Sequence, residues 1–442
     1  MEKYINVNDT IHPDGDYETV SAAIKLACED GCRSVKIPRY NKRTGGTKWS
    51  FMHAIEIPHD FTLLLDNCYM EQAKGSYENL IINEHAYDLE WIREPEHCVK
   101  NIRIIGEGHV VLSGGEHNHL LEKTVRHYEL PNSMYVQCIL QFMNVEGLEV
   151  RNIHLKDQRW WAIVHECVSN AVYKNIHFEA IPHVPNLDGF DLRIGCHDFL
   201  LENFTGRTGD DVIAFTALNG NNEMARKVKG QSGDIHDVKV RNLKAASHNC
   251  NLIRLLNHDG NREYNYDIDT VMDSSDCNSF QPRLGIGIGS PFYYHDTPAC
   301  PGDTAGISVK NVYTRATSAI RLAHVCADAE FSNIHSFGQC WNFFDTVSDG
   351  MTLSNIRLDH LYFGTEQPKY PNGETVEREK YIGYFVNLPN VKGDVSVSDV
   401  EMEPVGTGVS VYGGVKVHLN NVESEDIVNR VVSDEQSSVV WE

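Results

Sequence analysis

Apolar and polar residues alternate in short, β-branched segments along most of this chain, and those segments show no helical periodicity. The clearest recurring unit is a tetrapeptide of the form aliphatic or aromatic, polar, Asn, apolar. It reads VKNI at 99–102, VRNI at 150–153, YKNI at 173–176, LENF at 201–204 and VRNL at 240–243. It returns as VKNV at 309–312, FSNI at 331–334, LSNI at 353–356 and LNNV at 419–422, with a degenerate VSDV copy carrying Asp399. The Asn-to-Asn gaps are 23 (152 to 175), 28 (175 to 203), 22 (311 to 333) and 22 (333 to 355). Longer gaps, from 203 to 242 and from 355 to 421, fit insertions or degenerate copies. A period near 22 residues built from alternating segments predicts a β-solenoid, each turn holding two or three short strands. Successive turns then stack as parallel strands about 4.8 Å apart. Asn suits the corner of such a coil because it tolerates the left-handed conformation and bonds its neighbour in the next coil. A leucine-rich repeat shares the period but needs a leucine frame and helical segments, which are missing. A β-propeller needs a period near 40–50 residues.

One stretch breaks the pattern. In DYETVSAAIKLACEDG, residues 16–31, Val20, Ala23, Ile24 and Ala27 recur at helical spacing. This predicts an amphipathic helix with Asp16 as N-cap and Gly31 just past its end, placed to cap the open end of a solenoid. The polar, Gly- and Asn-rich stretches 217–234 and 364–380 read as inserted surface loops. No linker or composition break is visible, so a single domain over 1–442 is expected, with 1–45 as its cap region.

Aligning the rungs on their inward pairs (Phe190/Leu192, Ile213/Phe215, Ile253/Leu255, Ile286/Ile288, Ile320/Leu322) pushes the residues between them outward. Asp188 and Asp211 then fall in one column, with Asn251 a rung later. Asp191, Ala214, Arg254, Gly287 and Arg321 share a second column, and Arg193 and Thr216 a third. Asp210 lies beside Asp211. A single Asp in a repeat is most often turn chemistry, but three carboxylates in register on two rungs point elsewhere. Like charges that close raise at least one pKa, and a protonated acid beside ionised carboxylates is what glycoside hydrolysis needs. A calcium site is the other common reason for such clustering.

Charge and composition narrow the function classes. Lys+Arg of 39 against Asp+Glu of 62 gives a net charge of −23. This argues against nucleic acid or an anionic membrane as partner. No stretch has the 18 or more apolar residues of a membrane span. The start, MEKYINVNDTIHPDGD, carries no apolar segment of the signal-peptide kind, so a cytoplasmic location is expected. The 12 cysteines are scattered without CxxC or zinc spacing, and read as reduced thiols; Cys138, Cys167 and Cys196 recur at similar places in successive repeats, as small core residues would.

The segment from Met143 to Phe215 resembles the central part of glycoside hydrolase family 28, the polygalacturonases and their relatives. The family shows an Asn-x-Asp block followed one coil later by a Gly/Gln-Asp-Asp block. Here they stand as NLD at 186–188 and GDD at 209–211. QRWWAIVHE resembles the aromatic rung before the first block, and the stretch from Asp14 resembles the capped start of many right-handed parallel β-helices. The resemblance covers roughly residues 14–260. It implies an all-β, right-handed parallel β-helix and a single-displacement, inverting hydrolysis without metal or cofactor. Asp210 would be the general acid, and Asp188 and Asp211 would hold and deprotonate the attacking water. Two departures matter. The family's Gly-His-Gly is replaced by ASHNCNLIRLL, with Asn251 in the expected column and His248 three residues earlier. Its Arg-Ile-Lys triplet, which holds the substrate carboxylate, is replaced by LGIGIGS, with Gly287 and Gly289 where the cations should be. Arg254, Arg321, Arg193 and Arg283 are candidates for the missing charge, unless the glycines instead open space for a bulkier or neutral sugar. Trp161 and His165 are candidates to line the cleft. The expectation is an exo-acting glycosidase on a pectic or related oligosaccharide. A uronate lyase or epimerase on the same scaffold, and a non-catalytic carbohydrate-binding β-helix, are the competing readings.

Overall fold

The computed structural model of the protein describes every residue except 1–2, 117–136, 182–185, 219–225, 276–281, 290–298, 338–340, 348–350, 365–382, 404 and 425–426. The described chain is nearly all β, and its α-helices are Asp16–Glu29 and the one-turn Leu89–Ile92. It divides into two compact units: Met1–Asp210 with Leu218–Ile235, and Asp211–Ala217 with His236–Glu442. The even composition gives no sign of this division. In a repeat protein contacts run mainly between neighbouring coils, so compactness divides between coils without any linker in the sequence.

The first unit is a parallel β-solenoid. Strand Leu140–Lys156 pairs in parallel with Ile163–Glu179, placing Val150 beside Tyr173 and Ile153 beside Ile176. Ile163–Glu179 pairs in turn with His197–Thr208, placing Tyr173 beside Leu201 and Ile176 beside Phe204. Alternation sends one set inward, where Tyr173, Phe178, Phe190, Phe199 and Phe204 are buried. The helix Asp16–Glu29 buries Val20, Ala23 and Ala27 against the early strands, the apolar stripe that the helical spacing predicts. Its N-cap is Gly15, not Asp16. Asp16 is the first helical residue, and its carboxylate accepts from Asn41 Nδ2 at 2.9 Å, Arg43 Nε at 2.7 Å and the Ser50 amide at 2.8 Å. Tertiary partners thus take the side chain that local capping would have used.

The second unit is also a parallel β-solenoid. Strands Asn251–Asn257, Leu284–Ile288, Ser318–Leu322, Asn342–Thr346, Tyr384–Leu388 and Thr407–Val411 stack in sequence order. Their inward column runs Ile253, Ile286, Ile320, Phe344, Val386, Val409, all fully buried.

The repeat Asn forms the corner in both units. Asn101, Asn152, Asn175, Asn203, Asn242, Asn311, Asn333, Asn355 and Asn421 all have φ between 52° and 61°. This is the left-handed region, which Asn enters at lower cost than other non-glycine residues. Their amides bond from coil to coil: Asn175 Nδ2 donates to Asn152 Oδ1 at 2.8 Å, Asn203 to Asn175 at 2.9 Å, and Asn333 to Asn311 at 2.6 Å. Asp399 holds the same conformation, with φ 51°, and accepts from Asn421. Each such bond contributes about 1 kcal/mol.

Of the two expected surface loops, 364–380 lies outside the described residues beyond Gly364. In the other, residues 219–225 lie outside them too, but the segment from Arg226 onward is not a free surface loop. Arg226 and Val228 are completely buried, because Arg226 Nε donates to Glu166 and Lys229 N donates to the Arg93 carbonyl at 2.9 Å. Cys138, Cys167 and Cys196 are buried, and burial pushes the Cys167 thiol up to about 12.

Candidate functional site

The first Asp block meets Asp210 of the second within the first unit. Asn186 turns with φ 59°, and its amide donates to Asp210 Oδ2 at 3.1 Å. The Gly209 amide donates to the Leu187 carbonyl at 3.0 Å. Gln158 Nε2 donates to the same carbonyl at 3.3 Å and to that of Asp188 at 3.5 Å. The Thr208 hydroxyl closes the turn on the Asp210 carbonyl at 2.7 Å. Asp188 is 4% exposed, whereas Asp210 keeps an intermediate exposure. Neither they nor Asp211 has the positive φ that marks the Asp residues at turns, such as Asp198, Asp237 and Asp399. These side chains are therefore not copies of the Asn corner.

Around the first block, Trp160 and Trp161 pack edge to face with centroids 5.7 Å apart. The Arg193 guanidinium lies 4.8 Å from the Trp161 ring centroid, a cation–π contact. The rung alignment predicts His165 on the outward face near Arg193. It points inward: its register partners are Phe142 and the core residue Leu192. Its ring lies among Phe142, Tyr173, Phe190 and Phe199, with Nε2 2.6 Å from the Tyr173 hydroxyl. Burial lowers its pKa to about 3, so it is a neutral core histidine and not a cleft residue. Its neighbour Glu166 takes the opposite face, which sequence reasoning overlooks. Glu166 and Arg226 are both fully buried and paired, and Gln141 Nε2 donates to Glu166 at 3.3 Å. No local motif marks Arg226, since it reaches Glu166 from a segment 60 residues away.

In the second unit, Asp211 is fully buried. Its Oδ1 accepts from the Asn251 amide at 2.9 Å and also from the Asn251 side chain. Its Oδ2 lies 2.9 Å from Arg254 Nη1. Asn251 thus sits against Asp211 as the rung alignment predicts. The outward column also has the predicted register, with Ala214 beside Arg254, Arg254 beside Gly287 and Gly287 beside Arg321. It continues to Asp345, which sequence reasoning misses although the next rung of the same alignment contains it. Arg321 Nε donates to the Asp345 oxygens at 2.9 and 3.1 Å, and its Nη2 donates to Oδ2 at 2.6 Å. Burial pushes the Asp345 carboxyl up, and Arg321 pulls it back. Arg283 is exposed, and His248 is half-buried in the turn after strand Ile235–Ser247; neither occupies a register position of this column. The glycines do not open space. A Cβ at Gly287 would come within 2.9 Å of Leu284 Cδ1 and 3.2 Å of Asn251 Oδ1. One at Gly289, where φ is +81°, would meet His324 Cγ at 2.7 Å and its backbone N at 2.9 Å. Close packing and a left-handed turn account for both.

No family model and no curated protein matches the chain. Among solved structures, it is similar to a mutant tailspike protein of E. coli bacteriophage HK620 in complex with a hexasaccharide, at 12% identity and TM-score 0.60, over 99% of this chain and 80% of that one. It is also similar to the family 28 exopolygalacturonase of Yersinia enterocolitica, at 14% identity and TM-score 0.48, over 100% and 77%. A third match is the catalytic domain of a GH87 α-1,3-glucanase in complex with tetrasaccharides, at 12% identity and TM-score 0.43, over 99% and 68%. At such identities the likeness is one of fold: the chain is a parallel β-helix protein, and its function has to be argued from its own side chains.

Those side chains offer acid–base chemistry and hydrogen bonding. Asp359, His360 and Asp399 do bring ligand atoms within 4.8 Å of one another in the second unit. They are corner residues, however: His360 and Asp399 have φ 54° and 51°, and Asp359 accepts from the Ser398 hydroxyl. Asp210 has a different character. It combines partial exposure with a backbone N–H donor, so it can meet a ligand while its orientation is fixed.

Proposed function

We propose that the chain is an inverting, exo-acting glycoside hydrolase related to family 28, with Asp210 as the general acid and Asp188 and Asp211 activating water. The observation that carries this reading is the bond from the Asn186 amide to Asp210 Oδ2. It ties the Asn-x-Asp block to the Gly-Asp-Asp block through the one member of the trio that is not buried. An acid must touch the leaving oxygen, so it needs that exposure. The water-activating carboxylates need fixed orientation more, and Asp211 is held by Asn251 and Arg254.

The test is reducing-end release from a panel of pectic and neutral oligosaccharides by wild type and Asp210→Asn. This exchange keeps the shape and removes the transferable proton. Cleavage by wild type with a silent variant supports the assignment. Equal cleavage by both rules out Asp210 as the acid.

A further inference from the structure

We infer that the outward face of the second unit, over strands Asn251–Asn257, Leu284–Ile288, Ser318–Leu322 and Asn342–Thr346, recognises an uncharged saccharide. This rests on the glycosidase reading above and specifies its substrate class. The two arginines of the column are each matched by a carboxylate. Arg254 faces Asp211 at 2.9 Å and also donates to the Thr216 hydroxyl at 3.2 Å. Arg321 forks onto Asp345 and donates to the Ser318 hydroxyl at 3.0 Å. Asp345 accepts further bonds from Ser318 Oγ at 3.3 Å and Asn342 Nδ2 at 2.9 Å. The arginine side chains are only 11% and 15% exposed, and their carboxylates 0% and 2%. Each pair is therefore formed where water screens little.

A sugar carboxylate needs a cation whose charge is not already answered. Brought to this face, it would put a second carboxylate beside each guanidinium, and the like charges would repel at low dielectric. The net charge of −23 adds a field of the same sign. A hydroxyl meets no such barrier. It can accept from a guanidinium N–H and bond an amide at once. Arg321 and the half-buried Asn342 offer these partners, while Asp345 and Ser318 lie buried behind them. Asp345 thus sets specificity through Arg321: it answers the charge and leaves the guanidinium as a hydrogen-bond donor for hydroxyls rather than a cation for carboxylate.

The experiment compares galacturonate and mannuronate tetrasaccharides with galactose, glucose, mannose and rhamnose tetrasaccharides. Wild type is assayed for reducing-end release. Asp210→Asn, inactive but intact on the reading above, is assayed for binding by calorimetry. The expected result is a preference of about tenfold or more for a neutral member over both uronates, with little dependence on ionic strength. Asp345→Asn leaves the Arg321 charge unanswered, and is expected to move the preference towards uronate by about tenfold. If that variant does not fold, the wild-type panel still decides. A wild-type preference for either uronate overturns the inference and leaves the glycosidase reading standing, provided Asp210→Asn is silent. Neither cleavage nor binding of any member overturns both.

Discussion

The Asn corner and the Asp and Arg face arise from the same parallel register, yet they do different work. At the corner, each coil repeats one neutral side chain in the left-handed conformation, and the amides bond in series. A neutral amide is both donor and acceptor, so identical residues can stack without limit. On the face, identical charges cannot stack. Arg254 is answered by Asp211 and Arg321 by Asp345, with Gly287 between the arginines. Register alone therefore does not make a site. Turn geometry separates an Asp that substitutes for Asn, such as Asp399 with φ 51°, from one held outside that geometry by its partners.

The largest effect that would break this distinction is at Asp210. Asp210→Asn is expected to lower turnover by about 10²–10⁴-fold with little change in melting temperature. If the loss is instead in stability, Asp210 belongs with the corner residues. Next comes Arg321→Leu, which leaves Asp345 buried without its counter-charge. A loss of about 3–5 kcal/mol is expected from denaturant unfolding, and a neutral result would show that the face is not held by charge pairing. At the corner the effect is smaller. Asn175→Ala removes the bonds to Asn152 and Asn203 and puts alanine at φ 57°. About 1–3 kcal/mol of stability should be lost with kcat/KM unchanged. Asn175→Gly should recover part of that loss, because glycine accepts the backbone.

The smallest effect concerns a carboxyl that belongs to neither region. Glu263 of the second unit is fully buried, and burial holds its pKa well above the ordinary 4.5. A folded pKa above the unfolded one means stability that is complete below about the unfolded value and falls as pH rises through the window up to the folded pKa. Glu263→Gln should flatten that fall, seen as a smaller difference between melting temperatures at mildly acid and neutral pH. An unchanged pH slope would mean that the carboxyl is ionised in the fold.

Much of this is legible in the chain. The tetrapeptide spacing marks the coil, and all nine of its Asn residues fall in the left-handed conformation. The inward pairs set a register that the second unit reproduces from Ala214 to Arg321. Period-two alternation and fixed coil length are local facts, so a linear pattern specifies them. Sequence reasoning fails where one residue has a choice that only distant neighbours settle. The expected alignment sets His165 beside Arg193 on the outward face, but its register partner is the inward Leu192, and the Tyr173 hydroxyl and an aromatic interior accept a neutral imidazole there. Capping preference alone claims Asp16, but Asn41, Arg43 and Ser50 take its carboxylate. Gly287 reads as room for a ligand, but Leu284 and Asn251 fill that space.

By itself the sequence determined the solenoid and its corner, because backbone periodicity and Asn turn chemistry act over a few residues. Only the tertiary structure decided that Arg226 reaches Glu166 and that Arg321 is answered by Asp345. Charge pairing acts across coils and through loops, at distances of ångströms in space that correspond to tens of residues along the chain.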